Sequence, residues 1–210
     1  MSLRKEKAAR LKVHVLDQTI KLIGKKSFED LYVDDICARA KISKVTLFKY
    51  FPQKEDILLY YFRVWCMSRC VELAQKPREG ASGLIYLFDK LGDTSEEHPG
   101  LMLAVLGYLS DMRRSPKPFP IKIEEKKLLF PEIANISSIE LLSLDQLVEK
   151  FVLEAIFRKE ITRSTNTRDI THLLLATFMG GIVVAHTNHM TPLKMYYRRN
   201  VEMVLKGLQN

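Results

Sequence analysis

Apolar residues recur along this chain at steps of three and four, and almost nowhere do they alternate. Val13, Leu16, Ile20 and Ile23 form one stripe near the start. Leu174, Phe178, Gly181 and Ala185 form a second, and Leu193, Tyr197, Val201, Val204 and Leu208 a third. A period near 3.6 puts such residues on one helix face, whereas a half-buried strand needs a period of two. No segment joins sustained alternation to hairpin turns, so the expected fold is all-α. With 210 residues, 47% of them apolar, the chain can bury the core of one large domain or two small ones.

Punctuation residues divide the pattern. A first helix ends at Gly24 and the Lys25-Lys26-Ser27 turn, and a short helix spans 33–40 with Asp34 and Asp35 in its first turn. Ser43 is a good N-cap for a third helix over 44–50, Pro52 breaks the chain, and a longer helix starts near Lys54 and runs toward Gln75. Further helices are expected over 81–95, 99–113, 121–130, 138–160, 168–188 and 192–208, the last opened by Thr191-Pro192. The segment SPKPFP at 115–120 holds three prolines and reads as a rigid connection.

Charge is distributed unevenly. Residues 1–54 carry 13 Lys and Arg against 6 Asp and Glu, so nearly all of the net +8 lies in the first quarter of the chain. That quarter suits a polyanion, either nucleic acid or an anionic membrane surface. No apolar run approaches the roughly 20 residues of a bilayer span, and the charged start has no apolar core of a secretory signal. The three cysteines, Cys37, Cys66 and Cys70, build no disulfide framework, which fits a cytoplasmic chain with reduced thiols.

The stretch 33–58 carries the most information. Two short helices meet at Lys41-Ile42-Ser43, and Val33, Ile36, Ala40, Ile42, Leu47 and Phe51 are spaced to pack them on the first helix. This is a helix-turn-helix arrangement, whose second helix enters the major groove. Lys44, Val45, Thr46, Phe48, Lys49 and Tyr50 remain on its outer positions, offering cations, hydroxyls and apolar groups for phosphate and base contacts.

Residues Val33, Asp35, Ile36, Ala40, Ser43, Thr46, Leu47, Tyr50, Phe51, Lys54 and Glu55 fall at spacings that resemble the TetR family of transcriptional regulators, with Ile42 and Phe48 as conservative matches. The resemblance covers about residues 13–60. Lys41 and Val45 stand where the family has glycines, and Leu31-Tyr32 replaces a hydroxyl cap. It implies a three-helix DNA-binding head over 1–53 and a helical ligand-binding and dimerisation domain over 54–210. Lys44, Val45 and Thr46 would face base edges or the adjoining backbone. Tyr50 and Lys54 would bind phosphates, and Tyr32 would offer its phenol to another. Lys49 and Lys41 qualify as phosphate contacts by charge alone, and Phe48 and Phe51 would belong to the core.

The resemblance further implies a homodimer built through the last two helices, a palindromic double-stranded operator, and a small-molecule effector bound in the helical body. Trp65, Met102, Tyr108, Phe151 and Phe178 are the candidate lining, although the same residues suit an ordinary core. Glu154, on the same helix as Phe151, is the first carboxylate to examine as a ligand contact, and His172 and His186 could add polar contacts. Cys66 and Cys70 share a helix face without further ligands for a metal. No phosphate-binding glycine loop or nucleophile elbow is present, so neither cofactor nor catalysis has positive support. The expected function is a repressor released by a hydrophobic effector; the alternatives are a regulator without effector and a helical enzyme.

Overall fold

A computed structural model describes residues 3–24, 27–113, 120–163 and 166–209. All ten regular α-helices among them were anticipated, and no strand occurs among these residues. They are α1 (Leu3–Ile23), α2 (Val33–Ala40), α3 (Lys44–Tyr50), α4 (Asp56–Gln75), α5 (Gly80–Glu97), α6 (Pro99–Ser110), α7 (Ile123–Leu129), α8 (Leu144–Phe157), α9 (Thr167–Thr187) and α10 (Leu193–Gly207). A 3₁₀ turn, Ile136–Ser138, lies between α7 and α8. Lys25, Lys26 and most of the proline-rich connection lie outside the described residues.

The chain divides into two compact units. The first comprises 1–71 and 103–141, and the second 72–102 and 142–210. The head expected over 1–53 is thus the N-terminal part of a larger unit, which also holds most of α4 and all of α7.

In the first unit, α1 packs on α2 and α7. Its buried positions are Ala9, Val15, Leu16, Thr19 and Ile23, while Val13 and Ile20 are only half-buried. The stripe is therefore rotated from the one periodicity suggested, because Thr19 satisfies its hydroxyl on Val15 O (2.8 Å) and so enters the core. Lys12 Nζ lies 3.1 Å from Glu125 Oε1 of α7, and both side chains are largely buried. The same ammonium lies 5.4 Å from the centre of the Tyr60 ring. Burial, and then the neighbouring Glu125 carboxylate, push the Tyr60 phenol far above the usual tyrosine pKa, so it stays protonated.

In the second unit, α5 packs on α8 and α10, and α9 on α8 and α10. Gly80 opens α5 at φ +53°, a conformation that favours glycine, and its N–H donates to Glu154 Oε2 (3.0 Å). The Ala81 N–H donates to Glu160 Oε2 (2.8 Å), so two carboxylates from α8 and its end satisfy the first amides of α5. Helix α8 starts later than expected, at a capping box. Ser143 Oγ accepts from Gln146 N (3.3 Å), and Gln146 Oε1 accepts from Ser143 N (2.8 Å).

The stripe Leu174, Phe178, Gly181 and Ala185 is buried against this chain's own helices. A Cβ at Gly181 would come within 2.7 Å of the Tyr197 ring of α10, whereas one at Gly180 would meet nothing within 4 Å. One expectation needs correction here. Helix α9 is long and apolar enough to cross a bilayer by length and composition, contrary to the sequence reading. Its burial on one side against α8 and α10 is what a core helix requires.

Candidate nucleic-acid interface

The turn between α2 and α3 forms although both family glycines are replaced. Lys41 takes the left-handed conformation (φ 55°, ψ 46°) that the missing glycine would adopt. Its N–H donates to Ala38 O (3.3 Å) and the Ile42 N–H to Cys37 O (3.0 Å), which closes α2 in a Schellman motif. Ser43 then caps α3, its Oγ accepting from Thr46 N (3.1 Å). The lost hydroxyl cap of α2 is compensated from the other side, because Asp35 Oδ2 accepts from Tyr32 N (3.3 Å). Ile36, Ala40, Leu47 and Phe51 are buried between the helices, with Val33 and Ile42 half-buried.

All seven predicted DNA contacts fall in the first unit, but their side chains differ in how free they are. Tyr32 (72% exposed) and Val45 (81%) project into solvent. Lys44 Nζ lies 2.7 Å from Asp34 Oδ1, and that hydrogen bond, with the carboxylate's charge, raises the lysine pKa. Thr46 Oγ1 is 2.9 Å from Ser43 Oγ. Lys49 is exposed and sits 5.8 Å from the Tyr50 ring centre, with Tyr50 half-buried. Phe51 is in the core as expected, but Phe48 is 41% exposed. On a seven-residue helix the inner face is filled by Leu47 and the neighbouring Phe51, and Phe48 is turned away from it.

Lys54 lies before α4 rather than within it, and its ammonium turns inward. Nζ donates to Phe28 O (3.2 Å) and Leu31 O (2.9 Å) and lies 4.6 Å from the Phe28 ring centre. Two of its three donors therefore tie the α3–α4 connection to the segment that leads into α2. Cys37 is buried in α2, and burial is the main cause of its raised thiol pKa.

The candidate effector contacts are distributed over both units. Trp65 and Tyr108 belong to the first, and Met102, Phe151 and Phe178 to the second, all of them buried. Trp65 stacks on Phe62 (6.1 Å between centres) with the Arg69 guanidinium 5.1 Å from its ring. Phe151 fills the space left by the absent side chain of Gly83, and Phe178 meets Phe88 edge-on at 5.6 Å. Glu154 holds the start of α5, and His172 and His186 are exposed on α9. Cys66 and Cys70 are buried, and among the described residues no group of three or more His, Cys, Asp or Glu is placed to hold a metal.

The second unit exposes a different surface. Leu173 (48% exposed), Val183 (45%) and Val184 (44%) lie on the outer side of α9, with Ala176, Gly180 and Thr187 at helical spacing between and beyond them. On α10, Met195 and Met203 are more than half exposed.

Residues 15–61 match the family profile of bacterial regulatory proteins, tetR family. Among solved structures, the chain is similar to the transcriptional regulator FadR from Bacillus subtilis in complex with stearoyl-CoA. The two share 17% identity, with 93% of this chain and 98% of that one covered and a TM-score of 0.64. A putative TetR-family transcriptional regulator from Rhodococcus sp. is 14% identical over 96% of this chain and 100% of the other, with a TM-score of 0.61. The ketosteroid transcriptional regulator KstR2 of Mycobacterium tuberculosis is 14% identical over 95% of each chain, with a TM-score of 0.57. A comparison with curated protein sequences gave no match.

Proposed function

We propose that this chain, a TetR-family transcriptional regulator by its N-terminal head, is a homodimeric repressor that leaves its operator when a small hydrophobic effector binds. The observation that carries the reading is α3 itself, a capped helix whose outer side chains serve no core. In a two-fold dimer, two such helices about 34–36 Å apart reach successive major grooves of a palindrome. Tyr32, Lys44, Val45, Thr46, Lys49 and Tyr50 supply the contacts to DNA. Lys54 acts first by fixing the α2 approach, with one donor left for a phosphate. The dimer forms through the outer faces of α9 and α10, where Gly180 permits close approach. The effector is sought among Trp65, Met102, Tyr108, Phe151 and Phe178, each tested singly, and the protein works in the cytoplasm.

Titrating DNA binding against salt tests the head. Neutralised phosphates release counterions, so Lys44→Ala and Lys49→Ala should each flatten the slope of log Kobs against log salt by about one for every lysine removed. An unchanged slope in both would remove α3 from the interface. Gly180→Leu should sediment as a folded monomer; an intact dimer would displace the interface from α9. For the effector, stearoyl-CoA and a ketosteroid are the first probes, read by release of DNA and by the emission of Trp65, the only tryptophan. A regulator without effector is favoured by the closed packing of Phe151 on Gly83 and of Phe178 on Phe88. It predicts that a broad panel of apolar compounds leaves both DNA binding and thermal stability unchanged.

A further inference from the structure

The outer surface of α3 combines restrained polar groups with free apolar ones. Lys44 Nζ lies 2.7 Å from Asp34 Oδ1 in an exposed ion pair, and the Thr46 hydroxyl lies 2.9 Å from that of Ser43. Val45 and Phe48, three residues apart and so on one helix face, are 81% and 41% exposed. Nothing in the fold gains from leaving a valine and a phenylalanine in water, and each buried CH₂ would be worth nearly a kilocalorie elsewhere. Lys41 and Lys49 are exposed on the same stretch of chain, which suits a polyanion around an apolar centre.

We infer that Val45 and Phe48 read the operator through the C5-methyl groups of thymine in the major groove. This rests on the DNA-binding reading above and specifies its chemistry. The thymine methyl is the apolar feature that the major groove presents, and it distinguishes a T·A pair without any hydrogen bond. Side chains whose polar neighbours are already paired select bases by methyl contact more than by bidentate hydrogen bonding. Lys41 and Lys49 hold the flanking phosphates and carry no base preference.

The test begins by selecting the operator from random duplex DNA with the full-length protein. No enriched sequence would remove the DNA-binding reading itself, whereas an enriched one isolates the present inference. Each thymine of the selected site is then replaced by deoxyuridine, which deletes the methyl and keeps the pairing edge. Binding should weaken about fourfold for each methyl group contacted, the value of one buried methyl-sized group. In Val45→Ala and Phe48→Ala that penalty should shrink toward none, while Lys49→Ala should weaken thymine and uracil sites equally. Because Val45 is almost fully exposed, its variant folds as the parent does. Replacing thymines with no loss, or an equal loss in the parent and both apolar variants, overturns the inference.

Discussion

The two units hold their helices together in different ways. In the first, apolar packing by Ile36, Leu47 and Phe51 is supplemented by polar ties between elements: Lys12 to Glu125 between α1 and α7, and Lys54 to the Phe28 and Leu31 carbonyls. In the second, the joins are mostly apolar and shaped, with Phe151 on Gly83, Phe178 on Phe88 and Tyr197 on Gly181. Its charged pairs, such as Lys90–Glu72 and Lys194–Asp93, lie partly in solvent. A polar tie is directional and can be exchanged for another while little apolar area changes. A close-packed seam has one good arrangement and resists displacement. The contrast places the polar ties in the unit that carries the proposed DNA-binding helix and the close-packed aromatic seams in the unit that carries the proposed dimer face.

The sharpest way to break this contrast is at the buried ion pair. Glu125→Gln removes the counter-charge that Glu125 supplies to the largely buried Lys12 ammonium and should cost about 3 kcal/mol. Adding Lys12→Met should restore most of it, which urea denaturation followed by Trp65 emission will show. If the double variant is as unstable as the single, the tie is a packing element and the contrast fails. In the second unit, Gly181→Leu drives a side chain into the Tyr197 ring and should cost about 2 kcal/mol, with no second-site charge change to rescue it. The paired Gly180→Leu should leave monomer stability within about 0.5 kcal/mol, as a surface change does. Equal destabilisation by both glycine variants in a monomeric background would remove the asymmetry between the two faces of α9.

Smaller effects test the local joins of the head. Ser43→Ala deletes the N-cap of α3 and should cost about 1 kcal/mol in thermal unfolding, with DNA affinity falling as α3 frays. Lys41→Gly should do the opposite. The left-handed residue would lose a steric cost of about 1–2 kcal/mol and gain backbone entropy in the unfolded chain of about 0.5–1 kcal/mol. A rise in stability of about 0.5 kcal/mol is expected, and a loss would show that Lys41 contributes a contact worth more than its strain.

The helix-turn-helix head was legible because its determinants are local. A serine cap, two first-turn aspartates, a proline stop and a tight turn act over a few residues, and a chain pattern of fixed spacing records them. That same pattern assigned Phe48 to the core and Lys54 to a phosphate. The folded chain exposes the one and turns the other toward two carbonyls, because side-chain direction depends on neighbours distant in sequence.

By itself, then, the amino-acid order determined the helical class, the position of most helices and the helix-turn-helix form of the head, all through short-range periodicity and capping. Tertiary structure decided which side of α9 faces inward, since that helix is apolar on more than one face and periodicity alone cannot rank them. It also decided that α7 is tied to α1 and that the five candidate effector contacts fall in two units. Such pairings join residues as far apart as Lys12 and Glu125. Their free energy depends on burial and on the shape of both partners, quantities that exist only once the chain has folded.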